Sequence, residues 1–404
     1  MSQIHLNERP ARGNEDFPLF SMCIVTFNQR HLVEECIDSV LKQDYPNIEL
    51  LIYDDESSDF DVGEVTGYID AHKRENIRNV IVHKQEHNVG TTRNCIDVIA
   101  ASGGELFKLH AGDDMLWDEH TISSVVGYFK NDSVNVLIAR ARACTYEGEV
   151  LDHVYPRDQY FAKCVGASPE QLFDYIGTEP WGAYVCAPAA FYRRSLYEKV
   201  GGFNPDYKYT EDWPMWLKIC KLGYEMTYVD KITTIYRYGG ISNSMSETNR
   251  ALGIPHYEEC VRMLKEMAYP EYEAKKNRYR MFRCWYSWKC ISFRIIKETE
   301  WVQYDALDKL LFRIRNIPYF FLTRLHWRGE WNQRLPMRRE AGLAAILFVL
   351  LFAYLFGELF FGASLDRNVI YFLSLSFALT CAFALGRMLI NLVIAWAGSR
   401  ARKQ

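Results

Sequence analysis

Two adjacent carboxylates close the run His110-Ala111-Gly112-Asp113-Asp114, which follows the apolar stretch 105–109. Like charges this close are costly to hold unless a cation neutralises them. Hard oxygen ligands favour Mg2+ or Mn2+. Such an ion can bridge a carboxylate to two phosphates and stabilise charge growing on a departing nucleoside diphosphate. The ordinary alternative is a cap on the helix at 117–130, and an isolated pair would be read as that cap. This pair is not isolated. Leu50-Leu51-Ile52-Tyr53-Asp54-Asp55-Glu56-Ser57-Ser58-Asp59 sets a second acidic pair at the end of another apolar run. A carboxylate there either accepts a hydrogen bond from a base or ribose, or caps the next helix.

The elements that must position these groups alternate. Short β-branched runs at 19–26, 50–53, 80–83, 106–109 and 134–139 read as strands, with helices suggested at 31–41, 62–73, 91–100 and 120–130. That order predicts an α/β fold with a mostly parallel, Rossmann-like sheet covered by helices. In such open sheets ligands sit beyond the carboxyl ends of the strands, where both acidic pairs fall. The stretch 155–244 is richer in Gly, Pro and aromatics, with one clear helix at 214–222, and would complete the acceptor side.

With these elements in place, a resemblance to glycosyltransferase family 2 becomes specific. It is carried by Ser21-Met22-Cys23-Ile24-Val25-Thr26-Phe27-Asn28, by Cys36-Ile37-Asp38-Ser39-Val40-Leu41-Lys42-Gln43, and by Tyr53-Asp54-Asp55. Asn88-Val89-Gly90-Thr91-Thr92-Arg93-Asn94 is similar to the family's N-x-G…RN loop, and Gly112-Asp113-Asp114 to its D-x-D-type metal motif. These segments fall in the expected order over 19–120. Val25 departs from the family's usual proline. The resemblance implies a GT-A fold in which Thr26, Phe27 and Asp55 hold the nucleoside, Arg93 lies near the base or phosphates, and Asp113 approaches the ribose. It implies that Asp114 binds Mn2+ or Mg2+.

Downstream, Gly201-Gly202-Phe203-Asn204 and Thr210-Glu211-Asp212-Trp213 resemble the family's GGF…ED segment, which implies Asp212 as the catalytic base. Direct displacement at an anomeric carbon needs a carboxylate to take the acceptor hydroxyl's proton. Spacing alone reads Glu211 and Asp212 as first-turn acids before Pro214. In Tyr236-Arg237-Tyr238, a tyrosine stands where many relatives carry a histidine, so the protein's share of the metal shell is expected at Asp114, with phosphates and water completing it. Glu211 and Trp181 are candidate acceptor contacts. Trp181 either offers a flat face to a sugar or is a core residue beside a turn. His83, His87 and His110 lack ligand spacing and read as structural.

The formal charge of −4 over 404 residues hides an asymmetry. About −17 lies before residue 275 and about +11 between 275 and 339. Eleven cysteines without a CxxC pair, in a chain with no apolar leader at its start, read as reduced thiols. The expected organisation is a loose tail (1–18), a GT-A domain (19–250), a connector of basic amphipathic helices (251–340), either packed on the catalytic domain or lying on an anionic membrane surface, and a hairpin of two membrane passes (341–361 and 369–397) ending in a basic tail. Arginines before the first pass and basic residues after the second put both ends, and the catalytic domain, on the cytoplasmic side of an inner membrane. Arg387, inside the second pass, either snorkels as an anchor or holds the phosphate of a lipid-linked acceptor.

The resulting expectation is an inverting glycosyltransferase, hexosyltransferase-like. It moves a sugar from a nucleotide-diphosphate sugar, with UDP the expected nucleotide, to a lipid-linked or membrane-proximal saccharide in surface polysaccharide assembly. One alternative is a polyprenyl-phosphate glycosyltransferase, whose ionised acceptor would need no base. A second is an inactive membrane-anchored scaffold that binds sugar nucleotides. No nucleic-acid partner is expected.

Overall fold

The computed structural model describes residues 17–179, 184–238 and 247–299. The chain divides into two units, Met1–Arg315 and Asn316–Gln404, and every described residue belongs to the first. In chain order the elements are β1 (Phe20–Thr26), α1 (Arg30–Leu41), β2 (Ile48–Asp54), α2 (Val62–His72), β3 (Ile77–Lys84), α3 (Thr91–Ala101), β4 (Leu106–Ala111), β5 (Met115–Leu116) and α4 (Thr121–Phe129). There follow β6 (Val136–Cys144), β7 (Val150–Tyr155), α5 (Asp158–Cys164), α6 (Pro169–Thr178), β8 (Ala190–Arg193), α7 (Arg194–Lys199), α8 (Asp212–Lys221) and β9 (Thr227–Arg237). The last are α9 (Glu247–Met263), α10 (Tyr269–Ala274) and α11 (Arg278–Thr299), with a π turn at Leu264–Ala268.

β1 and β2 are almost wholly buried along their length. A strand covered on both faces reads as a continuous apolar run, which is how FSMCIV and IELLI appear in the sequence. α1 turns Leu32, Val33, Cys36, Ile37, Val40 and Leu41 inward, the spacing of one helix face. One core cluster joins α1, α2 and α4 to the sheet. The other joins the opposite face to α3, α6, α8, α9 and α11. Each large aliphatic side chain so buried contributes about 1.5–3 kcal/mol.

The sheet runs β3-β2-β1-β4-β8-β6-β9-β5, with β7 paired to β6. β3, β2, β1 and β4 are mutually parallel. The remainder corrects the expectation of a mostly parallel sheet. β8 is antiparallel to both β4 and β6, β9 runs parallel to β6, and β5 and β7 pair antiparallel to their neighbours. The cause is the four-residue β8, which arrives from far along the chain and inserts between β4 and β6. The parallel register sets Thr26 opposite Asp54 and Val25 opposite Ala111, so three strand ends finish at one level.

α9 to α11 contribute Cys260, Met263, Leu264, Tyr272, Cys284 and Ile291 to the same buried cluster as Trp216 and Leu217 of α8. The expectation of a multi-pass inner-membrane protein is corrected: among the described residues no helix is long and apolar enough to cross a membrane. α11, at 22 residues, has the reach, about 33 Å. It nevertheless carries Arg278, Arg280, Arg283, Lys289 and Arg294 along its length. The apolar runs at 341–361 and 369–397 lie outside the described residues.

Candidate active site

The nucleoside-side candidates gather where β1 and β2 end. Asp54 is fully buried and caps its own turn, accepting the backbone N–H of Ser57 at 2.7 Å and its hydroxyl at 2.5 Å. Ser57 Oγ in turn accepts the N–H of Asn28 at 2.6 Å, and Asn28 holds a left-handed φ of 55°. This ties the chain after β1 to the chain after β2. Asp55 then points the other way. One oxygen accepts the N–H of Val89 at 2.7 Å and the other that of Gly90 at 2.9 Å. Burial pushes the Asp55 carboxyl above its ordinary range, while these two N–H bonds and the charge of Lys208 pull it back. Phe27 stands at the rim, 39% exposed. Thr26 Oγ1 is buried without a hydrogen-bond partner.

Gly112 explains how the metal-type motif comes close to that end. Its N–H donates to Val25 O at 2.9 Å, and a Cβ there would meet Thr26 Cβ at 2.8 Å and Oγ1 at 2.9 Å. Asp113 and Asp114 follow, 8% and 1% exposed. Burial raises both carboxyls, and the charge of Asp113 raises Asp114 further. Arg237 holds the pair: its N–H donates to Asp114 Oδ1 at 2.9 Å and its Nε to Asp113 O at 3.0 Å. Its other nitrogens reach Tyr146 O and Glu35 Oε2, both at 2.5 Å. Lys108, fully buried, lies close enough to Asp114 for the two charges to support each other.

No group of three His, Cys, Asp or Glu that could hold a metal occurs among the described residues. Two adjacent carboxylates pushed upward by burial, with Asp113 raising Asp114 further, suit a cation whose remaining ligands come from phosphate and water, rather than an all-protein cage. Mg2+ or Mn2+ fits that donor set, with Asp114 the candidate ligand and Asp113 beside it.

The third station lies at the start of α8. Asp212 Oδ1 accepts the N–H of Trp213 at 2.6 Å, and Glu211 precedes it. Burial, with the neighbouring Asp212 charge, pushes Glu211 up to about 8. Burial raises Asp212 to about 6, against the opposing pull of its backbone hydrogen bonds. The Cys95 thiol of α3, raised chiefly by burial, is raised further by the charges of Glu211, Asp212 and Asp55. The segment before Asp212 connects them. Lys208 O accepts Thr92 N–H at 3.1 Å. The stem of Lys208 lies against Gly90, where a Cβ would meet its Cε at 2.5 Å.

Not every expected residue joins this group. Arg93 is 58% exposed and paired to Asp97 at 2.9 Å. Trp181 and Arg387 lie outside the described residues. His83 rests against the Tyr53 ring, and His110 is buried with its pKa driven well below the usual value. Tyr238 donates to or accepts from Tyr155 at 2.7 Å. Sequence reasoning missed Lys208, Lys108 and the anchoring by Arg237. For Arg237 a signal existed in Tyr236-Arg237-Tyr238, but it was read for the tyrosine that follows.

Residues 21–201 match the model of glycosyl transferase family 2. The match spans less than half of the chain and falls on the α/β domain described above, which is there similar to glycosyltransferase family 2. Among its relatives is an uncharacterized glycosyltransferase of Rickettsia prowazekii, 26% identical over 210 residues. That match covers 51% of this chain and 59% of the relative, so the chain spans little more than half of that protein's length. A PGL/p-HBAD biosynthesis glycosyltransferase of Mycobacterium bovis is 24% identical over 231 residues, 56% of this chain and 80% of that one. Among solved structures, a mannosyltransferase of Pyrobaculum calidifontis in complex with GDP-Man and Mn2+ aligns over 79% of this chain and 88% of its own. Its sequence identity is 15% and the TM-score 0.46.

Proposed function

We propose that the domain is an inverting glycosyltransferase that moves a hexose-type sugar from a nucleoside diphosphate sugar, with UDP as the nucleotide, to a saccharide hydroxyl. We take the acceptor to be a lipid-linked saccharide of a surface polysaccharide under assembly. The observation that carries this is the level ending of β1, β2 and β4, which sets Asp55 and Asp113-Asp114 at neighbouring strand ends, with the segment before Glu211-Asp212 fastened at Lys208 to the loop that fixes Asp55. The match to the glycosyl transferase family 2 model supports the reaction class.

In this reading Asp55 orients the nucleobase, its carboxylate fixed by Val89 and Gly90. Thr26 and Phe27 flank the base, Arg93 contributes near the phosphates, and Asp113 faces the ribose. Asp114, fixed by Arg237, would hold Mg2+ or Mn2+. When bound, the ion would neutralise charge on the departing nucleotide. Asp212 takes the acceptor proton as the new bond forms, and its raised pKa suits a base working near neutrality. Glu211 contacts the acceptor in the same reading. A base poised in this way favours a hydroxyl acceptor over an already ionised phosphate.

The test is a panel of UDP-, dTDP- and GDP-sugars with lipid-linked and water-soluble saccharide acceptors, read as nucleotide release and as the anomeric configuration of the product. Release with a UDP-sugar and an inverted product is expected. Nucleotide-sugar binding without release for any acceptor would overturn transfer, and a retained anomer would overturn inversion.

A further inference from the structure

A cleft of about 440 Å³ opens on another part of the sheet, lined among others by Trp117, Arg140, Arg142, Val154, Asp230 and Lys231. That volume lies in the range of small-molecule sites. Its cations are not equivalent. Arg140 is committed, donating to Asp230 at 3.0 Å, to Pro156 O at 2.9 Å and to Asp158. Lys231 donates to the Ser124 hydroxyl at 2.9 Å and forms no ion pair among the described residues, while Asp118, the other acid of the lining, is engaged by the Thr121 hydroxyl. Arg142 makes no hydrogen bond or ion pair among the described residues. Its guanidinium stands 5.6 Å from the centre of the Trp117 ring, and its Nε is shielded from solvent without a partner.

This arrangement is unusual in a domain that carries about −17 of formal charge before residue 275. With acids plentiful, a guanidinium stacked on an indole and given no carboxylate is a fork held in place with its donors free. Such a fork matches the two oxygens of a carboxylate or phosphate. The cleft around it is too large for a bare anion and has polar walls suited to hydroxyls.

We infer that this cleft is a second binding site, taking a sugar that bears an oxyanion, either a carboxylate or a phosphate, with the oxyanion on Arg142 and Lys231. The inference does not rest on the transfer reaction, because none of the residues proposed for that reaction lines the cleft.

Calorimetry on the full chain tests it, with the nucleotide site kept filled by saturating UDP. The probes are glucuronic acid, glucose 1-phosphate and inorganic phosphate. Glucuronic acid and glucose 1-phosphate should bind at one site per chain, and more tightly than inorganic phosphate. Arg142→Ala should weaken both by about tenfold or more, since a charge-assisted bond is lost. Arg142→Lys keeps the charge without the fork and should fall between. Removing Arg142 strands no acid, so both variants should melt near the wild-type temperature. Trp117→Leu, which removes the indole beneath the fork, provides a second variant and should also weaken binding. Failure of both sugars to bind, or binding indifferent to Arg142→Ala, would overturn the site. Inorganic phosphate bound as tightly as glucose 1-phosphate would overturn its assignment to a saccharide.

Discussion

Asp212→Asn isolates the proposed base with little else disturbed. The amide keeps an oxygen that can accept the Trp213 N–H, held at 2.6 Å in the native chain, so the start of α8 should survive. What is lost is a proton acceptor. A positioned general base contributes roughly 10²–10⁴-fold, so kcat should fall by that factor, about 3–5 kcal/mol of barrier. The pH profile supplies the sharper readout. Asp212, raised to about 6 by burial, must be ionised to act, so wild-type kcat should hold above that pH and fall as pH drops through it. Glu211, raised to about 8, shares the site, so the limb reports the pair rather than one residue. Residual activity in Asp212→Asn should lack this limb. Stability moves the other way. A carboxylate whose folded pKa is raised binds its proton more tightly in the folded chain. Its contribution is therefore present at low pH and lost as pH rises through the raised value. Removing that charge should leave the variant melting no lower than wild type at pH 8. Steady-state nucleotide release from pH 5 to 9, with UDP affinity by calorimetry and melting curves as controls, decides the matter. Full transfer by Asp212→Asn, or an acidic limb that persists in it, would refute the assignment.

Asp114→Asn retains an acceptor for the Arg237 N–H but not the charge, and nucleotide release should fall by about 10²-fold or more. Chelation of wild type should have the same effect, reversed by Mn2+ or Mg2+. Gly112→Ala forces a Cβ to within 2.8 Å of Thr26 Cβ, and urea unfolding should show a loss of about 1–3 kcal/mol. Lys208→Ala removes the cation that supports ionised Asp55. UDP should bind about fivefold more weakly by calorimetry, with the melting temperature little changed.

The first half of the fold was legible because its strands are covered on both faces and its helices carry a single apolar stripe. The observed β1, α1, α3 and β4 lie within two residues of the ends read from the sequence. Of the sheet's second half only β6 was legible, from the run at 134–139. β5 has two residues and β8 four, too few for any period to show, and the insertion of β8 between β4 and β6 is a long-range pairing that no local pattern encodes. The site divides along the same line. Carboxylates at strand ends can be read from a run followed by acids. What fixes them cannot. Lys208 is one of 47 lysines and arginines and becomes distinctive only through its approach to Gly90. Arg237 gains its place from a strand of the antiparallel region reaching back to Asp113 and Asp114.

The segment 204–211 shows why the helices after residue 247 matter to the chemistry proposed. On its far side this segment is fastened entirely to α9. Glu259 accepts the N–H groups of Lys208 at 2.6 Å and Tyr209 at 2.8 Å, while Arg262 donates to Asp206 O at 2.6 Å and covers the Tyr207 ring. His256 meets the Thr210 hydroxyl at 2.9 Å, one residue before Glu211. On its near side the same few residues touch Gly90 and Thr92, the loop that fixes Asp55. A loop between two such anchors has little freedom to swing, so the spacing between the Asp55 loop and the acid pair is set by α9 as much as by the sheet. α9 is itself packed on α11 and shares the buried cluster to which α8 contributes. The pre-organisation that a displacement reaction requires therefore depends on helices whose sequence suited packing on the domain and a membrane surface equally.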